Sequence, residues 1–403
     1  MTLIVWLAAA FFSATPLAAQ SAAEQRLDAA LKTIQVEKNI VGFSVVVVKG
    51  NTVVFSKSYG VADIARRLPV TDSTLFRVAS ISKVITATAL LQLYEQGKFK
   101  LDDDISHTLG YVVRNPNFPT VPITFRHLLS HTSSLTDYGN YDSLLSASYN
   151  GDVIPPLHAI LTKGGGFYSN DTYLNAAPGT RFEYCNLGYG IIGTLVEKLS
   201  GERFDVYCRK HILDVLGIEA SFNVRDLKNI NNLSVLYRRD SAGVWQPQAD
   251  NYNGDTPERK NLRSYRLGEN ALPMGPQGGL RISALGLSTL LLTFMNGTYN
   301  GKTLLRDDTW QLMMQNVIEG KTTDAMFKQY GLGIHTTRDL IEGETWIGHS
   351  GEAYGLLSNM YFNPNTRTGI IFVMNGATVK KGNRAFYDIE EAVFNAVYRI
   401  LLK

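Results

Sequence analysis

Residues 76–97 read FRVASISKVITATALLQLYEQG, and the organisation of the whole chain follows from them. Ser80 and Lys83 stand three apart, so on a helix they share one face. Behind them Val84, Ala87, Ala89, Leu90, Leu91, Leu93 and Tyr94 give a helix apolar on most sides, which belongs in a core. Gly97 is a natural stop for it. Ser80 falls at the helix start, where free backbone N–H groups and the positive dipole end favour a developing oxyanion. An amine beside a serine hydroxyl makes that hydroxyl nucleophilic at neutral pH. The pattern S-x-x-K is weak alone, because it recurs by chance; its plain alternative is a helix start with a surface lysine.

Outward from this stretch, the two ends of the chain read alike. Residues 22–38 form an amphipathic helix with Leu27, Ala30, Leu31 and Ile34 on one face. Residues 43–48 and 52–59 are β-branched and aromatic runs separated by Lys49-Gly50-Asn51, a hairpin signal. Residues 345–376 return to strands, and 383–402 close as a second amphipathic helix. The middle is mainly helical, with helices expected over 187–199, 202–216 and 283–296. Two segments read as long loops. In 137–177, Tyr138, Tyr141, Tyr149, Phe167 and Tyr168 either line a cleft or pack the loop itself. Residues 238–276, with Trp245, Tyr252 and Tyr265, have the length of a lid or specificity loop.

A chain of 403 residues suits one large unit or two interleaved domains. The net charge of +3 comes without a Lys/Arg block, so nothing points to nucleic acid. Cys185 and Cys208 are expected on successive helices as two free thiols. Residues 1–19 carry no charge, and their apolar run from Leu3 to Phe12 precedes small residues and Pro16. They read as a secretory leader cut near Ala19, which implies a periplasmic or secreted protein. An uncleaved anchor is the competing reading, but the run is shorter than the roughly 20 residues of a spanning helix. No other stretch is long and apolar enough to span.

Metal-like patterns do not hold. Asp102, Asp103 and Asp104 lack the spacing and glycine of a calcium loop and read as a turn with a helix cap. His127 and His131 have helical zinc spacing but no glutamate follows the first, so a structural helix ending in a Ser/Thr-rich turn is expected.

Two further stretches carry chemistry. Residues 178–201, PGTRFEYCNLGYGIIGTLVEKLSG, place Tyr184 and Asn186 two apart at a helix entry, on one side of an extended segment. A tyrosine whose pKa is lowered by a nearby lysine can take and return a proton. The alternative is a core tyrosine and an N-capping asparagine. Residues 348–353, GHSGEA, resemble the elbow G-x-S-x-G, but the last glycine is missing and a strand follows instead of a helix. Ser350 is therefore rejected as nucleophile. Gly351 on an edge strand would let substrate backbone come close.

Taken in order, S-x-x-K, Y-x-N and H-x-G, with FRVASISK, HLLSHTSSL, GGLRIS and IGHSGEAYG around them, resemble the serine beta-lactamase-like family. That family comprises class C beta-lactamases, D-alanyl-D-alanine carboxypeptidases and related esterases. The resemblance runs from about Asp28 to the C-terminus. It implies an α/β (α+β) fold: an antiparallel sheet flanked by terminal helices, with an inserted, mainly helical subdomain, beta-lactamase/transpeptidase-like. The leader would be 1–19 and the catalytic domain 20–403, its α/β part 20–79 and 280–403 and its helical part 80–279. The resemblance also implies roles. Ser80 would be acylated; Lys83 and Tyr184 would share acid and base work. Asn186 would bond the substrate amide and Lys83. His349 takes the place of a lysine seen in many members; with Ser350, Gly351 and Glu352 it would bind substrate, and the N–H groups of Ser80 and Glu352 would form the oxyanion hole. No metal or organic cofactor is implied. Substrates would be D-amino-acid peptides, amides or esters, such as cell-wall peptides, with beta-lactam turnover at most modest. A penicillin-binding sensor that turns over poorly and a dedicated class C-type lactamase are the alternatives. Cys185 and Ala79 depart from the usual Ser/Ala and Gly, and no S-D-N stretch of the class A mechanism occurs.

Overall fold

The computed structural model describes residues 21–403; the leader expected over 1–19 lies outside the described residues. An eight-stranded sheet runs in the order Leu68–Pro69, Thr52–Asp63, Gly42–Lys49, Thr368–Met374, Leu356–Asn363, Trp346–Ala353, His335–Thr337 and Gln329–Tyr330. The pairings resolved within it are antiparallel. Its centre joins the two ends of the chain: Phe43 pairs with Met374 and Lys49 with Thr368.

Both faces of the sheet are covered, which is why its central strands are almost continuously apolar. Alternation sorts the side chains. Phe43, Val45, Val47, Ile370, Phe372 and Met374 face the terminal helices Ala22–Glu37 and Asp388–Val397, meeting Leu27, Leu31, Ile389, Val393 and Phe394. Val46, Val48, Ile371 and Val373 face the larger core, which includes Leu287, Leu290 and Leu291 of the helix Ala284–Asn296. A three-stranded sheet of Phe76–Arg77, Arg281–Ile282 and Ala220–Ser221 lies under the nucleophile stretch.

The stretch 76–97 forms a 3-10 turn, Ala79–Ile81, and then the helix Ser82–Glu95, buried along nearly its whole length. It packs against the helix Asn186–Ser200, which ends at the left-handed Gly201. Asp104 caps the helix Ile105–Leu109 and bonds Arg114, while Asp102 holds Arg126 at 2.7 and 2.9 Å, so the acidic triplet is a cap and ion-pair site. The helix bearing His127 ends at Leu129, and His131 lies beyond it with φ +55°. Both cysteines are free and buried.

Three expectations are corrected. Residues 137–177 are not one loop: they contain helices Tyr141–Asn150 and His158–Leu161, the first with Tyr141, Leu144 and Ser148 on its buried face. Residues 238–276 are anchored rather than lid-like. They include most of a hairpin, Leu236–Arg239 with Trp245–Ala249, and Asp250, which is buried in an ion pair with Arg281. The helix expected over 202–216 is short, Phe204–Cys208, and runs on as a wider π-type turn, Arg209–Leu213. Among the described residues no helix is long and apolar enough to cross a membrane.

Candidate active site

A cleft of about 1000 Å³ opens between the strand Trp346–Ala353 and the helical region. Ser80, Tyr184, Asn186, His349, Ser350, Gly351 and Glu352 line it, and Lys83 lies beneath Ser80, so all eight expected positions meet in one place.

Ser80 sits in the 3-10 turn, one turn earlier than a plain helix start. Ala79 before it has φ +46°, a left-handed conformation that glycine adopts freely and alanine only with strain. The turn is held from three sides. Val78 donates its N–H to Leu280 O at 2.9 Å, Ser358 Oγ donates to Val78 O at 2.8 Å, and Leu280 donates its N–H to Ser82 Oγ at 3.0 Å.

Lys83 is fully buried, and its Nζ donates to Ser80 Oγ at 3.1 Å, Asn186 Oδ1 at 2.7 Å and the Gln277 carbonyl at 2.7 Å. Burial pulls its pKa down to about 7, against the pull upward of the Asp137 carboxylate. A large fraction is thus neutral amine near pH 7, able to take the Ser80 proton. Tyr184 is corrected here: burial raises its pKa instead of the lysine lowering it. Its phenol therefore stays protonated, and in hydrogen-bond contact with Ser80 it can relay a proton but is no standing base. Its ring is clamped between His131, at 4.3 Å, and Phe327, stacked at 4.9 Å.

Asn186 opens its helix and is not the N-cap; Cys185 is, with Sγ accepting from Gly188 N–H at 3.4 Å. The amide of Asn186 is held at both ends, by Lys83 on Oδ1 and by Asp137 Oδ2 on Nδ2 at 2.7 Å. Asp137 also accepts the backbone N–H groups of Asn186 and Leu187, each at 2.8 Å, at the positive end of that helix.

His349 is buried and donates its Nδ1–H to Ser350 O, which leaves Nε2 to accept from Tyr330 Oη at 3.2 Å. Burial and the Lys83 charge lower its pKa to about 3. A neutral imidazole thus stands where the resemblance places a cation. Ser350 donates its hydroxyl to Met326 Sδ at 3.6 Å and is in hydrogen-bond contact with Tyr361. Gly351 lines the cleft and also approaches the nucleophile turn: a Cβ there would lie 2.4 Å from Val78 O and 3.0 Å from Ser80 N. That contact places the strand Trp346–Ala353 against the turn that carries Ser80. The Glu352 side chain points away and accepts from Tyr387 Oη at 2.9 Å.

Sequence reasoning missed Asp137, Phe327, Tyr330 and Gln277, and placed His131 only in a structural turn. No spacing rule ties these residues to Ser80; only the fold does. His131 accepts the Cys185 N–H on Nδ1 at 3.0 Å, so it positions the Tyr184-Cys185-Asn186 segment. Among the described residues no group of acidic, histidine or cysteine side chains could hold a metal ion.

Comparison with known proteins agrees with the fold. The "Protein flp" of Staphylococcus aureus (strain N315) is 26% identical over 353 residues, covering 87% of this chain and 63% of that protein. The chain thus spans less than two thirds of that relative's length. The octameric penicillin-binding protein homologue from Pyrococcus abyssi superimposes with a TM-score of 0.71 at 24% identity, covering 94% of this chain and 77% of that one. The D-amino acid amidase from Ochrobactrum anthropi SV3, complexed with L-phenylalanine amide, gives 0.69 at 20% identity, covering 95% and 98%. The Beta-lactamase family model matches residues 22–394, nearly the whole described chain, and the protein belongs to that family.

Proposed function

We propose that the protein is a serine hydrolase that forms an acyl-enzyme on Ser80 and acts on D-amino-acid peptide, amide or ester bonds. The observation that carries this reading is the buried Lys83 amine, 3.1 Å from Ser80 Oγ with its pKa drawn down to about 7. Ser80 Oγ gives its proton to Lys83 Nζ and attacks the carbonyl carbon. The N–H groups of Ser80 and Glu352 receive the oxyanion. The carbon–nitrogen or carbon–oxygen bond to the leaving group breaks, and the proton passes from Lys83 through the Tyr184 hydroxyl to the departing atom. Water then attacks the Ser80 ester by the same route, its proton returning to Ser80 as the acid leaves. The likeness to a D-amino acid amidase and to penicillin-binding proteins supports the substrate class. The leader-like residues 1–19 support an exported protein, within reach of cell-wall peptides.

The test is intact mass over time after a fluorophosphonate or a penicillin is added, beside Ser80→Ala. The expected result is a fluorophosphonate adduct lost in Ser80→Ala, and release of product from ester or amide substrates. A penicillin adduct that persists, with no turnover of any ester or amide, would mean a penicillin-binding sensor instead. Rapid penicillin turnover would mean a dedicated lactamase. No Ser80-dependent adduct with either probe would overturn the nucleophile.

A further inference from the structure

Among the described residues lining the cleft, Gln277 carries a buried side-chain oxygen without a partner. Gln277 is only 8% exposed and lines the cleft beside Gly278 and Ser80. Its Oε1 is buried with no hydrogen-bond partner, and no described residue bonds to its side chain. A buried amide left unpaired is costly, and native proteins rarely keep one without a use. The position is not loose. The Gln277 carbonyl accepts from Lys83 Nζ at 2.7 Å, the neighbouring Pro276 carbonyl accepts from Thr86 Oγ1 at 2.6 Å, and Leu280 N–H is held by Ser82 Oγ. The first turn of the nucleophile helix therefore fixes the backbone that carries this amide.

The other side-chain amide at the nucleophile, Asn186, bonds Lys83 through Oδ1 and Asp137 through one Nδ2 hydrogen, which leaves the second for a substrate. Gln277 is a further amide there, with its oxygen unpaired. The cleft lining also includes Tyr141, Leu145 and Tyr149 of the helix Tyr141–Asn150, with Asp142, Ser146 and Asn150 of the same helix, so it offers both apolar and polar contacts.

We propose that Gln277 is a specificity-determining residue whose side-chain amide hydrogen-bonds an amide group in the acyl part of the substrate. The preferred acyl donors are then N-acylaminoacyl compounds rather than plain alkanoyl ones. This rests on the reading of Ser80 as the acylated nucleophile. A site with an unpaired buried polar group discriminates strongly against a substrate that cannot pair it.

The test uses the full chain and two nitrophenyl esters of equal acyl length, of N-acetylglycine and of pentanoic acid. The ratio of their kcat/KM values is measured for the wild type and for Gln277→Leu, which keeps the bulk and removes the amide. The expected result is a wild-type preference for the N-acetylglycyl ester that falls by about tenfold in the variant. An unchanged ratio, including a parallel loss on both esters, would overturn the proposal. Gln277→Ala, judged by the same ratio, replaces the leucine variant if that one does not fold. Fluorophosphonate labelling of wild-type Ser80 separates the two readings. No labelling defeats the nucleophile assignment, whereas labelling with an unchanged ratio defeats only the role of Gln277.

Discussion

The Asp137 carboxylate holds Asn186 at two points: Oδ2 accepts its backbone N–H at 2.8 Å and its side-chain Nδ2 at 2.7 Å. One half-buried acid thus orients the amide that faces Lys83 and caps the helix carrying it. Asp137→Ala leaves three N–H donors without their acceptor. We expect about 1–3 kcal/mol lower stability by urea denaturation, from lost hydrogen bonds and the uncapped dipole. We also expect Ser80 acylation to slow by about 10²-fold, because Asn186 no longer fixes Lys83. Acylation at the wild-type rate would show that Asp137 is only a cap.

The pH dependence follows from Lys83. Its pKa lies at about 7, far below the usual 10.5, because the charged form is buried. The ammonium dominates below that pH and the amine above it. With the amine as the proposed base, kcat/KM should rise with pH up to about 7 and level off above it. His349, held near 3, adds no inflection between pH 5 and 9. Glu390, on the cleft wall, is raised to about 7 by burial and also titrates there. Its carboxylate accepts from Asn359 Nδ2 at 2.8 Å and Tyr387 N–H at 2.9 Å. The inflection should persist in Glu390→Gln; its loss there would reassign the profile from Lys83 to Glu390.

Gly351 tests the oxyanion geometry. In Gly351→Ala the new methyl meets backbone, at Val78 O and Ser80 N, which yields far less readily than a flexible side chain. The strand must move off the nucleophile turn. Turnover is expected to fall by about 10²-fold or more, the scale of losing one oxyanion donor, while the fold by circular dichroism stays native. Wild-type turnover in Gly351→Ala would show that this contact does not set the site.

Asp250 and Arg281 form a buried pair at 2.7 and 3.1 Å, with Arg281 also donating to the Phe222 and Gly279 carbonyls. Asp250→Ala strands the guanidinium. The expected loss is about 3–5 kcal/mol by denaturant midpoint. Replacing both residues by apolar ones of similar volume should recover much of it, and a single variant as stable as the wild type would contradict this account.

The sequence made the sheet and the nucleophile helix legible for a physical reason. The runs 43–48 and 370–374 and the helix after Ser80 are predominantly apolar, and that pattern survives any tertiary context. Ser80, Lys83 and Tyr184 were legible because their chemistry constrains residue type and spacing. The helix Tyr141–Asn150 was missed because serine, tyrosine and asparagine mask its amphipathic face. The pKa of Tyr184 was misjudged because burial, which exceeds the effect of the lysine charge, has no local signature. Gln277 bonds Lys83 directly and Asp137 acts on it through Asn186, each from a separate turn of chain, and no pattern in one stretch announces a partner in another.

The pairing of Gly42–Lys49 with Thr368–Met374 has a consequence for how the protein comes into being. Contacts so distant along the chain form late, because loop closure must be offset before they contribute. During synthesis Ser80 and Lys83 emerge long before Trp346–Ala353, the strand that brings the Glu352 N–H. A half-made chain therefore carries the serine and its amine without the second donor for the oxyanion. On the proposed mechanism, reactivity arrives with the final strands, and the topology keeps an incomplete protein from being acylated.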